Sequence, residues 1–195
     1  MKPHLILIAG LPATGKTTTA AKLERYLKDY VLIDQNDLRR EVGMKKMPQN
    51  QDEILHKIDL LTASYLNGGK GVIIESGHRY MFRRQQLCGI ASSCDVNALM
   101  LECICSEDES KKRMKQRPVS DGLISDPSST RVYDRISRLW EPIDLDFRYP
   151  GVDYFVSHVT YNTEVSEIDA IRLVEKDGDF VQEIKDLLLK SKTEF

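Results

Sequence analysis

A chain of 195 residues, 41% hydrophobic and 30% charged, has room for one folded domain with a sizeable core and too little length for two of ordinary size. A formal net charge of −2 excludes a globally basic nucleic-acid binder as the default class, although a local basic patch remains compatible with it. Eleven glycines, eight tyrosines and five phenylalanines exclude collagen-like and low-complexity chains.

Residues 5–9 form a continuous apolar run, the pattern of a parallel strand buried on both faces. The run is too short for a membrane span or for the apolar region of a signal peptide, so the expected compartment is the cytoplasm. Residues 15–29 read as a helix with Ala20, Ala21, Leu23 and Leu27 inward. Residues 30–34 (YVLID) read as a second strand, and a short helix is expected near Asp37. Helical spacing over 52–66 ends at Asn67-Gly68-Gly69, a glycine-rich stop. A third strand at 71–75, a helix at 81–93 and a fourth strand at 96–102 follow. A charged helix over 108–117 stops before Pro118, a loop occupies 119–127, and a helix spans 129–141. The fifth strand is expected at 152–157, and the stretch 164–190 is expected to hold one or two helices around Lys176-Asp177-Gly178-Asp179. Phe180, Val181, Ile184, Leu187 and Leu188 form the packing face of the last helix.

Strands alternating with helices imply parallel βαβ units in a doubly wound α/β sheet. The chain reads as a single domain over 1–195, with 110–130 as an excursion able to act as a lid. Cys88, Cys94, Cys103 and Cys105 form no CxxC pair, and free structural cysteines in a reducing compartment are expected.

The strongest motif stands at the first strand–helix junction. Gly10-Leu11-Pro12-Ala13-Thr14-Gly15-Lys16-Thr17 fits GxxxxGK[ST], and Thr18 continues it into the helix. Glycines let backbone N–H groups close on phosphate oxygens, and the helix N-terminus adds partial positive charge. Lys16 is positioned to reach the β- and γ-phosphates of ATP, and the Thr17 hydroxyl to ligate Mg²⁺. Directly after the second strand comes Asp34-Gln35-Asn36-Asp37-Leu38-Arg39-Arg40. Asp37 and Arg40 share one helical face at i, i+3. The carboxylate suits removal of a proton from an acceptor hydroxyl, and the guanidinium suits an acceptor phosphate or sugar oxygen. The alternative is that Asp37 is only a helix-capping residue.

The sequence resembles the small P-loop kinases of the polynucleotide 5′-kinase and zeta-toxin type, within the wider AAA-like kinase family. The resemblance rests on GLPATGKTT, VLIDQNDLRR, GVIIESGHRYMFRR, KKRMKQR and SDPSSTRVYDRISRLWEP, in order over residues 5–142. It implies a three-layer P-loop fold with a five-stranded parallel sheet of order 2-3-1-4-5. It implies Asp37 as general base, Arg40 as acceptor ligand and a lid bearing arginines, for which Arg113 and Arg117 are the candidates.

One stretch departs from the family pattern: the third strand ends Glu75-Ser76-Gly77-His78 where an aspartate is usual. Glu75 is expected either to hold Mg²⁺ through water or to be a buried strand-end carboxylate paired to a base. His78 is either a substrate contact or a polar loop residue. The lid carries Lys111, Lys112, Arg113, Lys115 and Arg117, with Arg113 and Arg117 on one face at i, i+4. Such arginines can stabilise the charge of a transferring phosphoryl group; otherwise the helix is a solvated charged face. Gly122 would let the lid close. Lys45, Lys46, Arg79, Arg83 and Arg84, interleaved with Tyr80 and Phe82, suit a nucleic-acid rim, or else Arg83 and Arg84 lie on a solvated helix face.

The expected function is ATP- and Mg²⁺-dependent transfer of the γ-phosphoryl group to a hydroxyl of a small molecule, a nucleotide sugar or a polynucleotide 5′-end. A nucleotide-hydrolysing regulatory ATP-binding protein is the alternative; it has no need of an acceptor clamp. No membrane association is expected.

Overall fold

The computed structural model describes residues 3–41, 51–117, 129–143 and 156–190. Its first element, β1 (His4–Ala9), is buried along its whole length. Leu5, Leu7 and Ala9 enter one apolar cluster and Ile6 and Ile8 the opposite one, as a central strand covered on both faces requires. The chain continues through α1 (Lys16–Tyr26), β2 (Tyr30–Asp34), α2 (Gln35–Glu41), α3 (Gln51–Asn67), β3 (Gly71–Glu75), α4 (Met81–Ser93) and β4 (Asn97–Ile104). Then come α5 (Glu107–Gln116), α6 (Thr130–Arg138), β5 (Ser157–Asn162), β6 (Glu167–Arg172) and α7 (Gly178–Leu189).

The strands form one sheet in the order β2-β3-β1-β4-β5-β6. The pairings from β2 through β5 are parallel, in the expected 2-3-1-4-5 order. Helices α3 and α4 contribute to the apolar cluster on one face, α1 and α7 to that on the other, which makes three layers.

Two expectations for the C-terminal part are corrected. The fifth strand begins at Ser157, where 152–157 was expected, and residues 152–155 lie outside the described residues. The stretch 164–190, expected to be mainly one or two helices, also contains a sixth strand, antiparallel to β5. Glu167-Ile168-Asp169-Ala170-Ile171-Arg172 is mostly exposed. Its charges suit an uncovered sheet edge, which is why its apolar content is too low to look like a strand. The last helix stands where expected, with its five apolar residues buried. At the opposite end of the sheet from the P-loop, Asp177 accepts from Asn97 (2.6 Å) and Ser157 (2.6 Å) and lies 3.6 Å from His4, pinning α7 to β1, β4 and β5.

Residues 118–128, Gly122 among them, and Lys45 and Lys46 lie outside the described residues. The charged helix α5 is capped by the Ser106 hydroxyl, which accepts from the Glu109 amide at 3.2 Å. No helix among the described residues is long and apolar enough to cross a membrane.

Candidate active site

The carboxyl ends of β1, β2 and β3 converge, and the crevice beyond them is where an open α/β sheet places its ligands. The loop from Gly10 to Gly15 leaves β1 and turns into α1. Gly10 has φ +147°, and a Cβ there would stand 2.3 Å from the Cys103 carbonyl oxygen and 2.6 Å from Thr14 Oγ1. Ala13 and Gly15 also take positive φ, +62° and +87°. Inside the loop, the Thr14 amide and hydroxyl both donate to the Leu11 carbonyl, at 3.4 and 2.9 Å. The Lys16 ammonium donates to the same carbonyl at 2.8 Å. Desolvation lowers the Lys16 pKa, and the nearby Glu75 carboxylate opposes that fall. No side chain caps the N-terminus of α1, so its first amides keep their donor capacity for an anion.

A cavity of about 200 Å³ lies over this loop. Lys16, Thr17, Asn36, Arg39, Glu75 and Arg117 are among its walls. Glu75 ends β3, is 4% exposed, and has an Oε2 atom with no hydrogen-bond partner. Its register partner on β2 is Asp34. Burial, and after it the adjacent Asp34 carboxylate, push the Glu75 pKa well above the ordinary carboxylate range, against the pull of Lys16. Glu75 therefore retains a proton where an isolated carboxylate loses its own.

The acceptor pair expected from sequence is out of phase with this cavity. Asp37 and Arg40 form an ion pair with each other, 65% and 48% exposed, and line neither large cavity. A helix turns about 100° per residue, so the face of α2 toward the cavity is Asn36 and Arg39, the same i, i+3 spacing one residue earlier. Arg39 donates to Asn36 Oδ1 at 3.2 Å and to Gln51 Oε1 at 2.8 Å, while its buried Nε has no partner. His78 is also displaced from its expected place. Ser76 and Gly77 line the cavity, whereas His78 turns inward at φ +44° and is buried. Its Nε2 lies 3.3 Å from the Ile74 carbonyl and donates to it, Nδ1 has no partner, and burial holds its pKa down to about 3.

Arg83 and Arg84 are neither a nucleic-acid rim nor a solvated face. Arg83 is buried and paired with Asp59 at 2.7 Å. Arg84 is fully buried and donates to the carbonyls of His78 (2.8 Å), Glu141 (3.1 Å) and Pro142 (3.1 Å).

A second cavity, about 680 Å³, adjoins the first on the α1 side and is bordered by Thr18, Lys22, Tyr26, Tyr161 and Thr163. The two lid arginines divide here. Arg113 borders only this larger cavity and is fully engaged: Nε with Glu109 (2.8 Å), Nη1 with Thr163 Oγ1 (2.9 Å) and the Ala13 carbonyl (3.4 Å), Nη2 with the Thr163 carbonyl (3.3 Å). Arg117 is exposed and borders both cavities. Thr163, invisible as a site residue in the sequence, donates its hydroxyl to the Thr14 carbonyl at 2.9 Å and so fastens the phosphate-binding loop to the β5–β6 turn. The four cysteines are free; Cys103 Sγ donates to Thr19 Oγ1 at 3.6 Å behind the loop, and none lines either cavity.

The donor set fits a nucleotide with Mg²⁺: uncapped amides, an ammonium, a threonine hydroxyl and one unpartnered carboxylate oxygen. Among the described residues no group of three His, Cys, Asp or Glu could hold a metal by itself, as suits an ion that takes most ligands from phosphates and water.

The AAA domain family matches residues 5–142, and the chain belongs to that family. A curated relative, the probable 6-phosphofructo-2-kinase C222.13c of Schizosaccharomyces pombe, is 23% identical over 82% of this chain. The chain spans about a third of the length of that relative. Among solved structures, an inferred kinase of Chloroflexus aurantiacus aligns with TM-score 0.65 and 18% identity over 95% of this chain and 98% of that one. The APS kinase CysC of Mycobacterium tuberculosis, in complex with AMPPNP and APS, aligns with TM-score 0.56 and 14% identity over 94% and 97%. The fold is therefore that of the small P-loop kinases.

Proposed function

We propose that the protein is a phosphotransferase that moves the γ-phosphoryl group of ATP, with Mg²⁺, to a hydroxyl of a small-molecule or nucleotide-type acceptor. One observation carries the reading: the phosphate-binding loop opens on two adjoining cavities that share Ala13, Gly15, Thr18 and Arg117, and the smaller of them is walled by both Lys16 and the buried Glu75 carboxyl group. The larger cavity takes the nucleoside of the donor and the smaller one the acceptor.

In this reading the amides at the end of the loop and in the first turn of α1, residues 13–17, hold the β-phosphate. Lys16 leaves the Leu11 carbonyl for the β- and γ-phosphates. Thr17 and, through water, Glu75 hold Mg²⁺, which when bound neutralises phosphate charge. Arg117, free to enter from the border of both cavities, stabilises charge on the transferring group, while Arg113 braces the loop. Arg39 takes the role of acceptor clamp, since it lines the cavity and Arg40 does not. Asp34, the register partner of Glu75 at the carboxyl end of β2, receives the proton of the acceptor hydroxyl. The kinase character of relatives and of the shared fold supports the reaction class. The acceptor-side arrangement supports a kinase over a nucleotide-hydrolysing switch.

The test compares acceptor phosphorylation and background ATP hydrolysis side by side, with labelled ATP, against metabolite pools and 5′-hydroxyl oligonucleotides. Glu75→Gln should lose acceptor labelling. A wild type that hydrolyses ATP but labels no acceptor in any pool would leave the hydrolytic reading in its place.

A further inference from the structure

The turn between β5 and β6 touches three parts of the molecule at once. Its backbone is set by β4, where the Thr163 amide donates to the Ile104 carbonyl at 2.9 Å. The Glu164 carboxylate accepts from the Ser106 amide at 3.0 Å, at the N-terminus of α5. Thr163 and Ser166 border the larger cavity. The Thr163 hydroxyl has two carbonyls in reach, that of Thr14 at 2.9 Å and that of Ile104 at 3.3 Å, and it accepts from Arg113 Nη1 at 2.9 Å. Packing follows the same line: a Cβ on Gly15 would stand 3.1 Å from Cβ, Cγ2 and Oγ1 of Thr163.

We propose that Thr163 is a positioning residue for the donor nucleotide: it couples the seating of the lid helix α5 to the shape of the phosphate-binding loop, without itself bonding the nucleotide. This deepens the kinase reading and rests on it.

A hydroxyl carries one proton and two lone pairs. The Thr163 proton goes to a carbonyl of the loop and a lone pair to Arg113, so its polar capacity is spent inside the protein although the side chain borders the cavity. In a trans peptide the carbonyl and the following N–H point in opposite directions. Holding the Thr14 carbonyl toward Thr163 therefore sends the Gly15 N–H the other way, and Gly15 is among the residues whose amides hold the β-phosphate in this reading. The loop needs such support, because Ala13 sits at φ +62°, a conformation that costs energy for any residue with a Cβ. Arg113 adds a contact to the Ala13 carbonyl at 3.4 Å. One hydroxyl and one guanidinium thus hold two successive carbonyls of the loop, and the guanidinium arrives there only while α5 is seated against the turn.

The experiment measures AMPPNP affinity with Mg²⁺ by calorimetry, and the KM and kcat of background ATP hydrolysis. Thr163→Val keeps the shape and removes the hydroxyl; it should weaken AMPPNP by about tenfold. Thr163→Val should raise the ATP KM while kcat stays within about threefold of wild type, as expected of a residue that acts on binding. Thr163→Ser keeps the hydroxyl and should recover most of the lost affinity. Arg113→Ala should cost much less affinity in the Thr163→Val background than in the wild type, because the bond they share is already gone. Thr163→Ala carries the same expectations should Thr163→Val not fold. The inference is overturned if the variant without the hydroxyl binds AMPPNP as wild type does, whatever its melting temperature, if Thr163→Ser binds as weakly as that variant, or if its loss and that of Arg113→Ala simply add. Each of these leaves the kinase reading standing, since the wild type still binds AMPPNP; a wild type that fails to bind AMPPNP removes both.

Discussion

The donor and acceptor halves of the crevice are built differently. On the donor side the side chains that shape the loop have partners within the chain: Thr14 and Lys16 on Leu11, Thr163 on Thr14, Arg113 on Thr163, Ala13 and Glu109. On the acceptor side two cavity-lining residues have a buried polar atom with none, namely Glu75 Oε2 and Arg39 Nε. Buried polar atoms are seldom left without a hydrogen bond, because each costs its full desolvation. The loop is thus organised before any phosphate arrives, and the acceptor wall is organised around groups that a ligand or solvent must complete. The first half needs to be correct for every turnover and for any acceptor. The second half selects.

The comparison breaks most severely at Lys16. Lys16→Ala should lower phosphoryl transfer by about 10³-fold, the upper end of what removal of one charge-stabilising donor costs, with an unchanged circular dichroism spectrum. A folded variant with undiminished transfer would take the loop out of the chemistry. On the acceptor side, Glu75→Gln and Asp34→Asn should each lower kcat by ~10²-fold with little change in AMPPNP affinity, whereas Asp37→Asn should stay within about threefold of wild type. Equal losses at Asp37 and Asp34 would return the base to the exposed turn of α2.

The two lid arginines should separate the halves more finely. Arg117→Ala is expected to reduce kcat by about tenfold without weakening AMPPNP, and Arg117→Lys to recover only part of it. Arg113→Ala should instead weaken AMPPNP and lower the melting temperature, because it opens the contacts to Ala13 and Thr163. Identical profiles for the two variants would mean that both arginines act alike.

The smallest expected effect is on stability against pH. The folded-state pKa of Glu75 is raised above its ordinary 4.5, so the folded form holds extra proton and its stability, full below 4.5, is lost as pH rises through the folded value. Glu75→Gln imitates the protonated group. Without nucleotide or Mg²⁺ it should therefore melt about 2–4 °C above wild type at pH 8, the shift that about 1 kcal/mol gives in a chain of this size, and level with it near pH 4.5. His78 acts in the other direction: its folded pKa, about 3, lies below the ordinary 6.5, so the stability it lends is present above 6.5 and lost as pH falls toward 3. That acid limb should survive in Glu75→Gln, and its disappearance there would place the titration elsewhere.

The strands that form the buried part of the sheet were legible because continuous apolar runs such as residues 5–9 and 71–75 have few other uses. The loop at residues 10–17 was legible because its glycines and lysine are fixed by phosphate chemistry. The phase of α2 was not, since Asp37/Arg40 and Asn36/Arg39 share one spacing and only packing against β2 and α3 decides which pair turns inward. The pairing of Asp34 with Glu75 depends on sheet register across 41 positions of sequence, and no local pattern records it. β6 escaped for a different reason: an exposed edge strand needs polar residues, so it loses the apolar signature by which strands are recognised.

Arg84 has one more implication. With no exposed surface, it ties the carbonyl of His78 beside the acceptor wall to those of Glu141 and Pro142, just after α6. The Glu141 amide returns a bond to the Arg79 carbonyl at 3.0 Å. Trp140, the sole tryptophan of the chain, immediately precedes this knot and packs against the core. Any shift of the acceptor loop is transmitted through those carbonyls to the indole, so the protein carries its own optical gauge: acceptor binding should change the intensity or wavelength of tryptophan emission, with no label attached.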